Sequence, residues 1–249
     1  MKPALRLLLV LATLAWTASQ ASAVPGRAEV MKVVGTATVS KATGGSASIT
    51  QGMVLGTGDT VTTGPASTVD LNLGLNGDFL RVDPDSSLKI DNLDIANIAD
   101  RTVTTQLNVN RGAITGNVVN KLTKASKYEI KSASGVAGIR GTVYSVKTDA
   151  SGRITRIVCT SGTVSFTQGG VTVTITAGQA LTPPPVGTAL TQATVRAATE
   201  GEKTQTATAA SSIGTGAGQT DLGGGVTVIN NPADVSTSVS QLPAALKQK

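Results

Sequence analysis

Ser134-Gly135-Val136-Ala137-Gly138-Ile139-Arg140-Gly141-Thr142-Val143-Tyr144-Ser145-Val146 is the stretch that decides the fold. Its glycines stand three residues apart, at 135, 138 and 141. Glycine adopts positive φ or lets another backbone approach closely. The run from Thr142 to Val146 alternates polar and apolar residues, the period of a strand. The stretch therefore predicts a glycine-kinked corner feeding a strand, with one charge, Arg140, in apolar surroundings. The spacing is not that of a dinucleotide-binding loop, and no helix pattern follows it. Gly138-Ile139-Arg140-Gly141 fits the clamp loop of a nucleic-acid-binding KH domain, but that loop joins two helices and both flanks here read as strands.

The same alternation recurs on both sides. Val30–Val39 reads as one strand kinked at Gly35 or as two short ones. Short strands are predicted around the Gly58-Asp59 turn, and Thr68–Leu73 and Asp78–Val82 flank Asn76-Gly77, a two-residue hairpin signal. Ser87–Ile90 and Thr102–Val109 follow, Arg111-Gly112-Ala113-Ile114 is a turn into another strand, and Tyr128–Lys131, Ile154–Thr160, Thr163–Phe166 and Val171–Ile175 come after it, with turns at Ser161-Gly162 and Gly169-Gly170. Asp91–Asp100 fits either a short helix or a wide loop. Residues 27–182 thus read as one all-β domain of many short, mainly antiparallel strands, a sandwich, roll or solenoid-like stack. After Pro183-Pro184-Pro185 the composition turns to Ala, Thr, Gly, Ser and Gln. Residues 183–249 are therefore expected to be a low-complexity, largely flexible tail, with a weak helix over 197–210 and a strand over 223–229. On that reading a cut after Pro185 leaves the domain folded.

Residues 1–23 have the form of a secretory signal peptide. Lys2 and Arg6 precede the apolar run Leu7–Trp16, and Ala21-Ser22-Ala23 is a small-residue cleavage site. The apolar run is too short to span a bilayer, and no second long one follows. The expected location is the periplasm or the cell exterior, with no transmembrane span after cleavage. Net charge is +6, and its Lys and Arg are scattered rather than clustered, which does not suggest a nucleic-acid groove.

The chain has no histidine and one cysteine, Cys159, set in a strand pattern. A Ser-His-Asp relay, a Cys-His pair and a His-ligated metal are excluded, and zinc would need more cysteines. Cys159 cannot form an internal disulfide; a buried free thiol is the favoured reading and an intermolecular bridge the alternative. Asp83, Asp85, Asp91 and Asp94 lack the calcium-loop spacing, and Asp83-Pro84-Asp85-Ser86 reads as a turn. No cofactor, no metal site and no enzymatic activity are expected.

An ordered set of motifs runs through 30–182. It comprises Gly52-x-x-Leu55-x-x-Gly58-Asp59-x-Val61-x-Thr63, Leu71-x-Leu73, Gly77-x-Phe79-Leu80, Pro84-x-Ser86 and Ala137-Gly138-Ile139-Arg140-Gly141-Thr142-x-Tyr144-x-Val146. Gly162-x-Val164-x-Phe166 and Ala177-Gly178-Gln179 complete it. In this order the chain resembles the FecR family of bacterial periplasmic signalling domains. The resemblance implies a periplasmic all-β domain. In its best-known members that domain reads the state of an outer-membrane receptor and regulates a sigma factor across the inner membrane. No helix pattern suits holding a sigma factor, so only the exported sensor-like domain carries over. Gly58, Asp59, Gly138, Arg140, Gly141, Thr142 and Gly178 are the signature positions, structural or partner-binding. The function expected is a non-enzymatic binding or sensor module that contacts an envelope partner. The alternative is a structural, adhesive or polysaccharide-binding envelope protein. Arg140 and Asp59 are candidate partners in a buried ion pair.

Cleavage after Ala23 would remove Trp16, the only tryptophan. The exported protein is expected to have an intact mass beginning at Val24 and no tryptophan emission; a mass that includes residues 1–23 would refute this.

Overall fold

The computed structural model describes residues 23–118 and 122–214. The expected signal peptide and the expected strand over 223–229 lie outside them. Short runs rich in Val, Ile, Leu and Thr form β1 (Val24–Pro25), β2 (Ala28–Val34), β3 (Ala37–Ser40), β4 (Ser46–Ser48), β5 (Val54–Leu55), β6 (Thr60–Thr63), β7 (Thr68–Asn72) and β8 (Phe79–Val82). Longer strands follow: β9 (Ser87–Asn97), β10 (Thr102–Asn117), β11 (Lys127–Lys131), β12 (Val136–Thr148) and β13 (Ile154–Gln168). β14 (Val171–Thr176), β15 (Gln179–Leu181), β16 (Val195–Ala197) and the helix α1 (Glu200–Ser211) complete the described chain.

All described strands belong to one sheet that is antiparallel except for the β10–β11 pair. The long strands let that sheet serve as two layers. The first half of β10 pairs with β9 and β11, and its second half with β8 and β12. β12 changes neighbours in the same way, from β11 to β10. β13 lies along β12 throughout and pairs with β15 on its first half and β14 on its second. One layer therefore runs β4-β3-β6-β9-β10-β11-β12-β13-β14, and the other β5-β2-β7-β8-β10-β12-β13-β15-β16. The sheet does not close into a barrel. Inward residues of both layers form one core, from Val39, Val61, Leu88, Leu107, Ile130 and Phe166 to Val30, Leu71, Leu80, Ile114 and Ile157. Each such side chain contributes about 1.5–3 kcal/mol by leaving water.

The strands change layer at glycines. Gly112 of β10, Gly141 of β12 and Gly162 of β13 have φ of +86°, +54° and +77°. The β12–β13 register shifts between Arg140 and Val143, a β-bulge. Gly162 abuts the Gly141 carbonyl so closely that a Cβ on it would lie 2.0 Å from that oxygen. The predicted corner is present. Arg111-Gly112 and Ser161-Gly162 are not turns between strands, however; each is a bend inside one continuous strand. Positive φ is shared by turns and bulges, so the local signal does not separate them.

Three further expectations differ. Asp91–Asp100 is mostly strand: β9 runs to Asn97, because Leu93 is buried and β10 pairs with it along nearly its whole length. Asn76-Gly77 is not a two-residue turn; Gly74–Asn76 forms a 3₁₀ turn that widens the β7–β8 hairpin. The chain from 183 to 214 is not a loose tail. β16 pairs with β15, and α1 lies against β8, β10, β12 and β13. Thr199 caps α1 in a reciprocal capping box with Glu202. A cut after Pro185 would remove both elements, so it would not leave the sheet intact.

No atom lies within 4 Å of a Cβ built on Gly141, so only its φ resists a side chain. Gly141→Val is expected to cost about 1–3 kcal/mol in chemical denaturation. Gly141→Asn should cost less, because Asn tolerates the left-handed region; equal losses would mean that φ is not the constraint.

Candidate functional site

The signature residues fall into two groups. Around the corner, Thr142 staples the bulge: its Oγ1 lies 2.8 Å from the Arg140 carbonyl and 3.1 Å from the Thr163 carbonyl, and accepts from the Thr163 amide at 3.3 Å. Gly138 stands opposite Ser165 and Glu129. Gly178 turns β14 into β15, donating to the Cys159 carbonyl at 2.8 Å and accepting from the Ala198 amide at 2.8 Å. The second group is the turn before β6. The buried Asp59 carboxylate accepts from Lys41 at 2.8 Å, from the Gly56 amide at 3.0 Å and from the Ala42 amide at 3.0 Å. Burial would raise its pKa, but these donors outweigh burial and hold it below the ordinary value. Gly58 packs against Ala42 there.

Arg140 and Asp59 do not form the buried pair expected from the sequence. Arg140 is exposed and donates to the Thr123 carbonyl at 3.0 Å and the Lys124 carbonyl at 3.4 Å. It sits at the bulge, where the side chain turns away from the core, so its charge needs no buried counter-ion.

The buried ion pair lies elsewhere, beneath α1. Arg81 on β8 stands opposite Asp70 on β7, and both point to the outer face of their layer. The guanidinium contacts Asp70 through two bonds, Nε–Oδ1 at 2.6 Å and Nη2–Oδ2 at 2.8 Å. The Asp70 side chain is 1% exposed and that of Arg81 14%. Arg81 also donates to the Ser212 hydroxyl at 2.7 Å, the Ser212 carbonyl at 3.1 Å and the Ala209 carbonyl at 3.4 Å. The Gly214 amide donates to Asp70 Oδ2 at 3.1 Å. A cation thus sits where the helix C-terminus is partially negative. At the other end Glu202 pairs with Arg196 at 2.7 Å and Arg156 at 3.1 Å, and its carboxyl falls to about 2, chiefly through the Arg196 bond.

Asp83 adjoins this network and accepts from Thr115 Oγ1 at 3.1 Å. Burial, reinforced by the Asp70 charge and opposed by Thr115 and Arg81, raises its pKa to about 6. Of these groups the sequence singles out only Asp83, and that as a turn residue. A charge at an outward strand position reads as solvated, and no local signal says that a helix covers it.

Other chemistry is muted. Cys159 is buried and free, its Sγ donates to the Ser161 carbonyl at 3.4 Å, and burial pushes the thiol up to about 11. Tyr128 and Tyr144 form a buried edge-to-face pair with hydroxyl oxygens 3.1 Å apart, and burial raises both pKa values well above normal. Gly116 lies opposite Tyr144 and leaves room for its ring; a Cβ there would be 2.3 Å from it. Among the described residues no three Cys, Asp or Glu side chains gather as metal ligands, and no helix is long and apolar enough to cross a membrane. One groove of about 510 Å³ opens where β1, β2, β5 and the β7–β8 turn meet. Val24, Val54, Leu75 and Ile95 line it, with Arg27, Glu29, Asn72 and Asn76.

The family model described as FecR protein matches residues 59–165. The match covers less than half of the chain. The matched segment starts at Asp59 and ends in β13, so it contains the glycine corner and the Asp70–Arg81 pair. No curated protein matches the sequence. Two crystal structures of a candidate anti-sigma factor from Parabacteroides distasonis ATCC 8503 are similar, at 7% identity each, with TM-scores of 0.43 and 0.42. Each match covers 55% of this chain and 59% of that one, so the chain spans somewhat over half of those structures.

The sheet carries a pH dependence at Asp83. A folded-state pKa raised above the unfolded value means that the folded protein binds the extra proton. Stability is then highest below about pH 4 for this group and falls as pH rises through about 6. Asp83→Asn, which can still accept from Thr115, is expected to raise stability at pH 7.5 by up to about 3 kcal/mol. It should also flatten the pH 4–7 slope; denaturant titrations that show the wild-type slope in the variant would refute the assignment.

Proposed function

We propose that this chain is an exported, non-enzymatic sensor module that contacts a protein of the cell envelope. The FecR match over residues 59–165 carries the reading. It falls on the centre of the sheet, where β10, β12 and β13 change layer, so what the family shares here is a rigid scaffold. The groups with chemical potential on that scaffold are spent on structure. The thiol and both tyrosines are buried, and Asp59 and Asp70 are saturated by donors. That leaves recognition by surface and edge as the work the domain is built for.

The export expectation supports a location outside the cytoplasm. Recognition of polysaccharide, the alternative, would need aromatic faces open to solvent. Tyr128, Tyr144 and Phe166 are buried, and Phe79 is partly so, so a protein partner is preferred.

Affinity capture from envelope extract with the mature chain as bait, after cross-linking, tests the reading. Recovery of an outer- or inner-membrane protein is the expected result. Recovery of cell-wall glycan alone, or residence of the native protein in the cytoplasmic fraction, would overturn it.

A further inference from the structure

Among the described residues β14 pairs only with β13, so its other side is an edge of the sheet. Edge strands are commonly protected by charged side chains, proline or a bulge. β14, Val171-Thr172-Val173-Thr174-Ile175-Thr176, has none of these. Its register against β13 runs without a shift, and residues 157–195 carry no charge. Val173 and Ile175 are buried, while Thr172, Thr174 and Thr176 are exposed. An alternating, uncharged strand of this kind suits pairing with an identical one, antiparallel about a two-fold axis.

The segment between β15 and β16 covers this edge. It is anchored along its length. The Pro184 carbonyl accepts from the buried Gln168 at 3.0 Å, Leu190 is 3% exposed and packs in the core, and Val195 begins β16. Between the last two, Gln192 reaches β14. Its Nε2 donates to the Thr174 carbonyl at 2.7 Å, and its Oε1 accepts from the Thr174 amide at 3.0 Å. A residue of a neighbouring antiparallel strand would make the same two bonds. The carboxamide offers a donor and an acceptor as a peptide group does, so one side chain fills a strand's place. At the end of β14, Gln179 Oε1 accepts from the Thr176 amide at 2.8 Å and its hydroxyl at 2.9 Å.

We propose that residues 182–194 are a strap, closed by Gln192, that keeps β14 from pairing with β14 of a second copy of this chain. With Gln192 seated the chain is a monomer; with it withdrawn, the Thr174 amide and carbonyl are free and two copies join edge to edge. The inference concerns self-association and stands whether or not the envelope partner is found.

Sedimentation of the mature chain, with amide exchange read residue by residue by NMR, tests it in the wild type, Gln192→Ala and Gln192→Ala/Thr174→Lys. The wild type should be a monomer in which the Thr174 amide exchanges about tenfold or more slowly than that of Thr172. Gln192→Ala shortens an exposed side chain, so the fold should persist. It should dimerise at a concentration about tenfold or more below any at which the wild type does, and its Thr172 and Thr174 amides should gain protection as it dimerises. Thr174→Lys sets a charge on the same edge and should restore the monomer. Should Gln192→Ala fail to fold, Gln192→Met, similar in length and unable to make either bond, decides by the same readings. A Gln192 variant as monomeric as the wild type would overturn the proposal. So would association that survives Thr174→Lys, which places the contact elsewhere. A wild-type dimer with Thr172 protected would show that the strap does not close the edge and likewise overturn it.

Discussion

The glycine bends within β10, β12 and β13 are the constraint on which the rest of the structure depends. A single sheet of short strands has two faces and cannot bury both without a second layer. Here the same strands supply both layers, because each carries one residue with positive φ where the layers meet. The bends of β12 and β13 are in lateral register: Gly141 and Gly162 touch across the β12–β13 ladder, and Thr142 bonds to both sides of the bulge, whereas Gly112 of β10 stands opposite Thr148 at the far end of the β10–β12 pairing. A bulge raises local twist and turns the strand. The paired bends of β12 and β13 at one end, and that of β10 at the other, fold the sheet over one core. The exposed Arg140 and the saturated Asp59 are peripheral to that device.

A second layer of organisation lies on the outer face. α1 is rich in Ala and Thr and buries little apolar surface, chiefly Thr206 and Ala210. Its attachment is polar at both ends, Glu202 to Arg196 and Arg156 at one and the Asp70–Arg81 pair at the other. Taking Asp70 and Arg81 out of water is costly, and the two direct bonds with the helix carbonyls and the Gly214 amide offset that cost. The result fixes where the helix ends and where the chain goes next. Hydrophobic packing alone would specify this less sharply, since Val158, Ala180 and Ala198 form only a small outer cluster.

These two features divide the molecule by role. The FecR match spans the corner and the ion pair, the parts that set shape. Half of the groove's lining, between Val24 and Val54, precedes the match, and the other half, the β7–β8 turn and Ile95, lies inside it.

The sequence by itself determined the all-β class, the glycine corner at 141 and most strand positions. Those rest on a two-residue period and on glycine conformation, which are local properties. The buried cysteine was legible for the same reason, as an apolar residue in an alternating run. The tertiary structure alone decided whether a glycine reverses the chain or bends a strand, because Gly112 and Gly162 have the φ of either and only the neighbouring strands distinguish them. It alone converted Asp91–Asn97 into strand, through pairing with β10. It also decided which charges are buried. Asp70 and Arg81 look like solvated outward residues until α1, more than a hundred residues later, closes over them. The helix itself was invisible as a packed element because it lacks an apolar stripe. Long-range burial is a property of what comes to lie on top of a residue, and no window of local sequence contains it.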